Sequence, residues 1–210
     1  MKIEVKNLTK HFKEKEILKD INISFYSGNI YCLSGPNGSG KSIFLNLLCG
    51  TVEPSSGEIL LNGKNILKKN LFFNRRKQLV DNTNFSLTLT GYENLKMIAK
   101  KNKNITDEDI LIALKKVNLI EYKDQRYCEY SFGMRQRLII AKVLMEDPKI
   151  IILDDPFTGI DEPIKQYLIE LLKFAKGRDR IVIISTNNDI DIKSVADVNY
   201  RFLDGKLLWS

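Results

Sequence analysis

Lys41 and Ser42 close the run Gly35-Pro36-Asn37-Gly38-Ser39-Gly40-Lys41-Ser42, which has the spacing G-x-x-x-x-G-K-[ST]. Glycines at those places let backbone amides turn inward around an anion, and a helix starting there adds the positive end of its dipole. A lysine at this spacing reaches the β- and γ-phosphates of a nucleotide, and the hydroxyl after it holds magnesium. The eight residues Gly35, Pro36, Asn37, Gly38, Ser39, Gly40, Lys41 and Ser42 are therefore expected to cradle a nucleotide such as ATP. A phosphate loop needs a second oxygen ligand for Mg2+. Asp154 supplies it directly after the apolar run Ile150-Ile151-Ile152-Leu153, at the carboxyl end of a buried strand. Asp155, next in the chain, is placed to act as general base on an attacking water.

These groups need a strand, a loop and a helix in fixed order, and the surrounding pattern provides them. Ser27-Gly28-Asn29 makes a turn into Ile30-Tyr31-Cys32-Leu33, a buried strand. After the glycine-rich loop, Ile43 to Leu48 is apolar on nearly every side, as in a helix enclosed between layers, and Gly50 closes it. Ile3 and Val5, then Ile21, Ile23 and Phe25, alternate as half-buried strands do. Gly57 to Leu61 followed by Asn62-Gly63 has hairpin chemistry. The middle of the chain changes to helical spacing. Thr90-Gly91-Tyr92-Glu93 fits a capping box, a second helix follows Thr106 with Ile110, Leu114 and Val117 on one face, and a third runs from about Met134 to Met145, before Pro148. Strands return at Ile150 to Leu153 and Ile181 to Ile184, both continuous apolar runs of the parallel-sheet kind. Tyr200 to Leu203, the turn Asp204-Gly205 and Leu207 to Trp209 end the chain.

Composition removes several alternatives. The chain has 210 residues, 43% hydrophobic and 28% charged, which is globular. It has 1 histidine, His11, close to the amino terminus, from which a Ser-His-Asp triad, a His-rich zinc site or a clustered histidine switch is hard to build. A net charge of +7 suits an anionic partner or simply a solvated surface, since only Arg75-Arg76-Lys77 and Lys100-Lys101-Asn102-Lys103 cluster. Cys32, Cys49 and Cys128 are odd in number and widely spaced, and are expected to be reduced and mostly buried thiols of a cytosolic protein. No apolar run is long enough to cross a bilayer, and no signal peptide is visible.

Tyr130-Ser131-Phe132-Gly133-Met134-Arg135-Gln136-Arg137-Leu138, placed just before the Asp154 strand, is similar to the Leu-Ser-Gly-Gly-Gln signature of ABC transporter ATP-binding subunits. The likeness covers nearly all of the chain. It implies an α/β fold of the P-loop NTPase class: a RecA-like mixed sheet core, an N-terminal antiparallel β subdomain and an inserted α-helical subdomain. The expected division is one ABC ATPase domain over 1–210, with the core in 1–82 and 146–210 and the helical subdomain in about 83–145. In such subunits the signature serine and helix start bind the γ-phosphate held by the opposite chain, so two chains enclose two ATP molecules. By resemblance, Ser131 and Gly133 take that role, and Asp161 in Gly159-Ile160-Asp161 crosses the dimer interface. Phe12 falls where an aromatic stacks on adenine, although an aromatic at that spacing equally suits the core.

The resemblance also marks departures. Phe132 and Met134 stand where the family usually has Gly and Gln. The family's glutamine near magnesium and the attacking water is replaced by Asp81 or Asn82, with Gln78 too early to fill the place. Its catalytic glutamate is replaced by Asp155, and its histidine after the last core strand by Asn187, whose amide donates hydrogen bonds but transfers no proton near neutral pH. The implied partners are ATP, a separate integral membrane transporter subunit, and a second ATP-binding subunit in a homodimer or heterodimer. No nucleic acid is expected, because relatives acting there usually carry two such domains or a long coiled-coil insertion. The expected place is the cytoplasm, peripheral on the inner face of the membrane. The form of the signature and the short end after Gly205-Lys206, with no room for a regulatory domain, favour an exporter.

Overall fold

The computed structural model describes residues 1–66, 85–100, 104–187 and 195–209. The chain forms two compact units. One comprises Met1–Leu79, Lys149–Asp155 and Leu172–Ser210, the other Val80–Pro148 and Pro156–Leu171.

In the first unit β1 (Lys2–Phe12) and β2 (Lys15–Tyr26) form a long antiparallel pair. After β3 (Asn29–Ser34) and α1 (Lys41–Leu48), the chain returns as β4 (Ser56–Leu61) and β5 (Lys64–Asn65), giving a four-stranded sheet in the order β2-β1-β4-β5. The β4–β5 turn is Asn62-Gly63, both at positive φ, as a two-residue hairpin requires. Strict alternation in β1 breaks after Val5. The next buried residue is Leu8, and the register with β2 shifts between Val5 and Leu8, a bulge that returns the apolar side chain to the core face.

The second sheet has β6 (Ile150–Leu153), β7 (Ile181–Thr186), β8 (Val198–Leu203) and β9 (Lys206–Trp209) in the order β6-β7-β3-β8-β9. Its first four strands are parallel, and β9 turns back antiparallel after Asp204-Gly205. β6 and β7 are buried along their whole length, which explains their unbroken apolar runs. Helix α1 joins the two sheets: the Phe44 ring lies 6.4 Å from Phe25 of β2 and 5.3 Å from Phe202 of β8. Phe44, Leu45, Leu47 and Leu48 are all buried, as the all-round apolar pattern predicts. Gly50, at φ 66°, follows the last turn.

The second unit packs α2 (Gly91–Ala99), α3 (Asp107–Lys116) and α4 (Phe132–Glu146) on one another. Both predicted starts carry reciprocal capping boxes, Thr90 with Glu93 and Thr106 with Asp109. Helix α4 begins at Phe132, two residues earlier than the spacing predicts, because Ser131 Oγ accepts a hydrogen bond from the Met134 amide at 3.2 Å. It ends at Asp147, which turns left-handed at φ 45° ahead of Pro148. Helix α5 (Glu162–Lys176) has no counterpart in the sequence reading above, although Ile164, Leu168, Ile169 and Leu172 follow a helical period. Of the cysteines, Cys32 is buried and Cys49 half-buried, but Cys128 is exposed, in the middle of the short 3-10 helix Tyr127–Glu129.

Candidate nucleotide-binding site

The parallel sheet sets its strand ends in register. Leu153 of β6 pairs with Ile184 of β7, and Ser34 of β3 pairs with Thr186 of β7. Asp154, Ser185 to Asn187 and the start of the glycine loop therefore emerge side by side at the carboxyl edge, where ligands of open α/β sheets bind. Gly35 leaves β3 at φ 141°, and a Cβ there would lie 2.2 Å from the Phe202 carbonyl oxygen, so only glycine fits. Pro36, Asn37, Gly38 and Ser42 are exposed, while Ser39 and Gly40 are buried beneath them. Gly40 caps α1 in the left-handed region.

Lys41 curls back over the loop: its Nζ donates to the Gly35 carbonyl at 2.7 Å and to the Pro36 carbonyl at 3.0 Å. The side chain is buried, which lowers its pKa from the ordinary lysine value, and the charges of Asp154 and Asp155 partly restore it. A desolvated ammonium held by two carbonyls, with those two acids acting on it, is suited to receive an anion. Ser39 Oγ is buried without a hydrogen-bond partner in the same loop, a second polar group with spare capacity. Among the described residues no cluster of three or more His, Cys, Asp or Glu side chains is gathered to hold a metal. Mg2+ takes one or two protein oxygens and completes its shell with phosphate and water. The exposed Ser42 hydroxyl and the half-buried Asp154 carboxylate are two protein oxygens of this kind.

The two acids share one neighbour that the sequence reading missed. Ser185 Oγ donates to Asp154 Oδ1 and accepts the Asp155 amide at 3.0 Å. Asp155 itself is left-handed, at φ 46°. The signal for Ser185 was a hydroxyl ending an apolar strand beside a strand that ends in acids. Asn187 is exposed, and its Nδ2 donates to Asn37 Oδ1 at 3.3 Å, tying the end of β7 to the loop. Phe12 is 47% exposed, which excludes the core alternative for that ring, and Lys10 Nζ lies 4.8 Å from its centroid. His11 is exposed near Glu16 and takes no part in this edge. Asp81, with Asn82 and Gln78, lies outside the described residues.

The signature residues form a neighbourhood of their own in the second unit. Ser131 caps α4, and Gly133 lies so close to the Gly159 carbonyl that a Cβ would meet its oxygen at 2.6 Å. The Phe132 ring covers Gly159. Asp161 is exposed, and its carbonyl accepts the Lys165 amide at 2.9 Å. Arg137 braces α4 by donating to the Val117 and Asn118 carbonyls at 3.2 and 2.8 Å. Burial lowers the Arg137 pKa, with the Asp161 charge acting in the opposite sense.

The family model described as ABC transporter matches residues 18–158, well over half of the chain. The chain belongs to the ABC transporter family. Within that family it is an ATP-binding subunit with the P-loop NTPase fold. It is similar to the uncharacterized ABC transporter ATP-binding protein YybJ of Bacillus subtilis, with 34% identity over 98% of this chain and 94% of the relative. The bacitracin transport ATP-binding protein BcrA of Enterococcus faecalis is 33% identical, over 98% of this chain and 68% of that one. Among solved structures, the dimeric post-hydrolysis ATP-binding cassette MJ0796, bound to ADP and Pi, superposes with a TM-score of 0.86 at 25% identity, covering 98% of this chain and 96% of that one. Among the described residues of this ABC subunit, no helix is long and apolar enough to cross a membrane.

Proposed function

We propose that this ABC subunit binds ATP with Mg2+ at the loop of Gly35 to Ser42, closes on a second ATP-binding chain, hydrolyses the nucleotide, and so energises a separate membrane-spanning partner from the cytoplasmic face. The observation that carries this reading is the carboxyl edge of the parallel sheet, where the Lys41 ammonium, Asp154, Asp155 and Asn187 gather around one glycine loop. In this reading Lys41 neutralises phosphate charge, Ser42 and Asp154 hold magnesium, and Asp155 takes the proton of the attacking water. Magnesium, when bound, neutralises charge developing on the β- and γ-oxygens. Phe12 offers an exposed ring to adenine, and Asn187 offers an amide donor to a phosphate oxygen. Ser131, Gly133 and Asp161 serve the nucleotide of the opposite chain. Asp81 or Asn82 takes the place of the missing glutamine near magnesium. Export is the direction we favour, on the form of the signature.

The test is nucleotide-dependent thermal stabilisation. ATP at a hundred times its Kd adds about 2.7 kcal/mol, a rise of about 5–10 °C for a chain of this size. Lys41→Ala is expected to abolish that rise, and an unchanged rise overturns the assignment.

The substitutions at Asp155 and Asn187 favour a second reading, in which this chain is the weak half of a heterodimer or a regulatory module. Its own loop then retains ATP while Ser131 completes the partner's site. A homodimer with two slow sites is the first choice because symmetric assemblies predominate. Substantial turnover by the purified chain alone excludes the second reading.

A further inference from the structure

We propose that Ser185 is a positioning residue for hydrolysis, one hydroxyl that sets both the metal acid and the backbone of the general base. The inference rests on the roles proposed above for Asp154 and Asp155. A serine hydroxyl has one proton to give and two lone pairs. Here the proton goes to Asp154 Oδ1, and a lone pair takes the Asp155 amide at 3.0 Å. The first bond fixes the rotation of the Asp154 carboxylate and leaves Oδ2 for another ligand. The second fixes a peptide that has every reason to move, since Asp155 is left-handed at φ 46°, a region costly for residues with a Cβ. The direction of the Asp155 side chain follows from that backbone, so the serine aims the carboxylate without touching it.

Ser185 is well placed to hold its own position. It is fully buried, and β7 is paired on one side with β6 and on the other with β3, where Ser185 stands opposite Leu33. Two residues further on, Asn187 donates to Asn37 in the phosphate loop. One strand thus senses the loop through Asn187 and the acids through Ser185. A shift of about 1 Å in a reacting group costs on the order of a hundredfold in rate, so the aim of Asp155 matters to turnover more than to nucleotide affinity.

The experiment compares wild type with Ser185→Ala and Ser185→Cys. Cysteine keeps the volume and has only a weak donor, so it carries the test if the alanine chain fails to fold. The first readout is amide hydrogen exchange at Asp155 in nucleotide-free protein, expected to rise about tenfold in the alanine variant and less in the cysteine one. The second is magnesium-ATP turnover, where kcat is expected to fall about tenfold with KM for ATP changed less than twofold, and half-saturation by Mg2+ to move to higher concentration. Unchanged Asp155 exchange together with unchanged kcat overturns the proposal. An equal rise in exchange over all of β6 and β7 also overturns it, because the serine then merely holds the sheet. Failure of the underlying site reading shows elsewhere: Lys41→Ala would then keep its ATP-dependent thermal shift, whatever the Ser185 variants do.

Discussion

Lengthening the proposed base is a perturbation with two opposite expected effects. In Asp155→Glu the carboxylate advances by one methylene, about 1.5 Å. If Asp155 now stands too far back from the attacking water, closing that gap raises turnover by about ten- to a hundredfold. The backbone predicts a cost for the same change. Asp155 sits at φ 46°, and a left-handed residue with a Cβ is strained by about 1–2 kcal/mol, which aspartate offsets better than glutamate because its short carboxylate bonds locally. A loss near 1 kcal/mol corresponds to a fall in Tm of about 2–4 °C for a chain of this length. The amide bond to Ser185 belongs to the backbone and survives the substitution, so the two effects stay separable. Phosphate release at saturating magnesium-ATP and thermal unfolding without nucleotide measure them. Adding Asn187→His should raise turnover further, whereas Asp155→Asn should retain ATP and prolong the closed dimer. Turnover that stays level or falls in Asp155→Glu refutes the argument from reach, and an unchanged Tm refutes the argument from backbone strain.

The helical unit gives two further tests. Asn94 is buried, accepts the Ser86 amide at 2.7 Å and donates to the Ser86, Leu89 and Thr90 carbonyls, so Asn94→Ala is expected to cost about 2–4 kcal/mol in urea denaturation. Hydrogen bonds from the Thr106 amide and hydroxyl hold the Asp109 pKa below its ordinary value of 3.8. A group lowered on folding contributes stability that is complete above its unfolded pKa and is lost as pH falls through the folded one. Wild type should therefore exceed Asp109→Asn in stability near pH 6, and the difference should narrow as pH falls below 3.8, measured by denaturation at each pH.

What could be read in the sequence was whatever depends on neighbours along the chain. The phosphate loop, the capping boxes at Thr90 and Thr106 and the two continuous apolar strands are local patterns, and each has its counterpart in the structure. The start of α4 moved by two residues because a cap is set by its side-chain bond, here Ser131 to Met134, and not by where the apolar period begins. Ser185 escaped notice because its meaning lies across a strand pair: nothing in Ile183-Ile184-Ser185 says that Asp154 stands alongside until β6 and β7 are paired. The exposure of Cys128 and Phe12 is likewise a property of packing, which decides burial after the strands and turns are in place.

Having a single histidine shapes the chemistry at this edge in a consistent way. Without an imidazole at the end of β7, the strand contributes a hydroxyl at 185 and an amide at 187, groups that orient and donate but exchange no proton near neutral pH. The group proposed here to accept a proton from water is the carboxylate of Asp155, on a short side chain and a left-handed backbone held by Ser185. In the proposed site the binding lysine, Lys41, is held twice, by the Gly35 and Pro36 carbonyls. In the proposed mechanism, water activation rests on the Asp155 carboxylate, whose backbone amide is held by the single hydrogen bond to Ser185. The two functions are therefore unequal in robustness: small changes at 155 and 185 should alter turnover widely while leaving ATP affinity nearly constant, so that the time spent closed on nucleotide becomes the quantity most readily tuned.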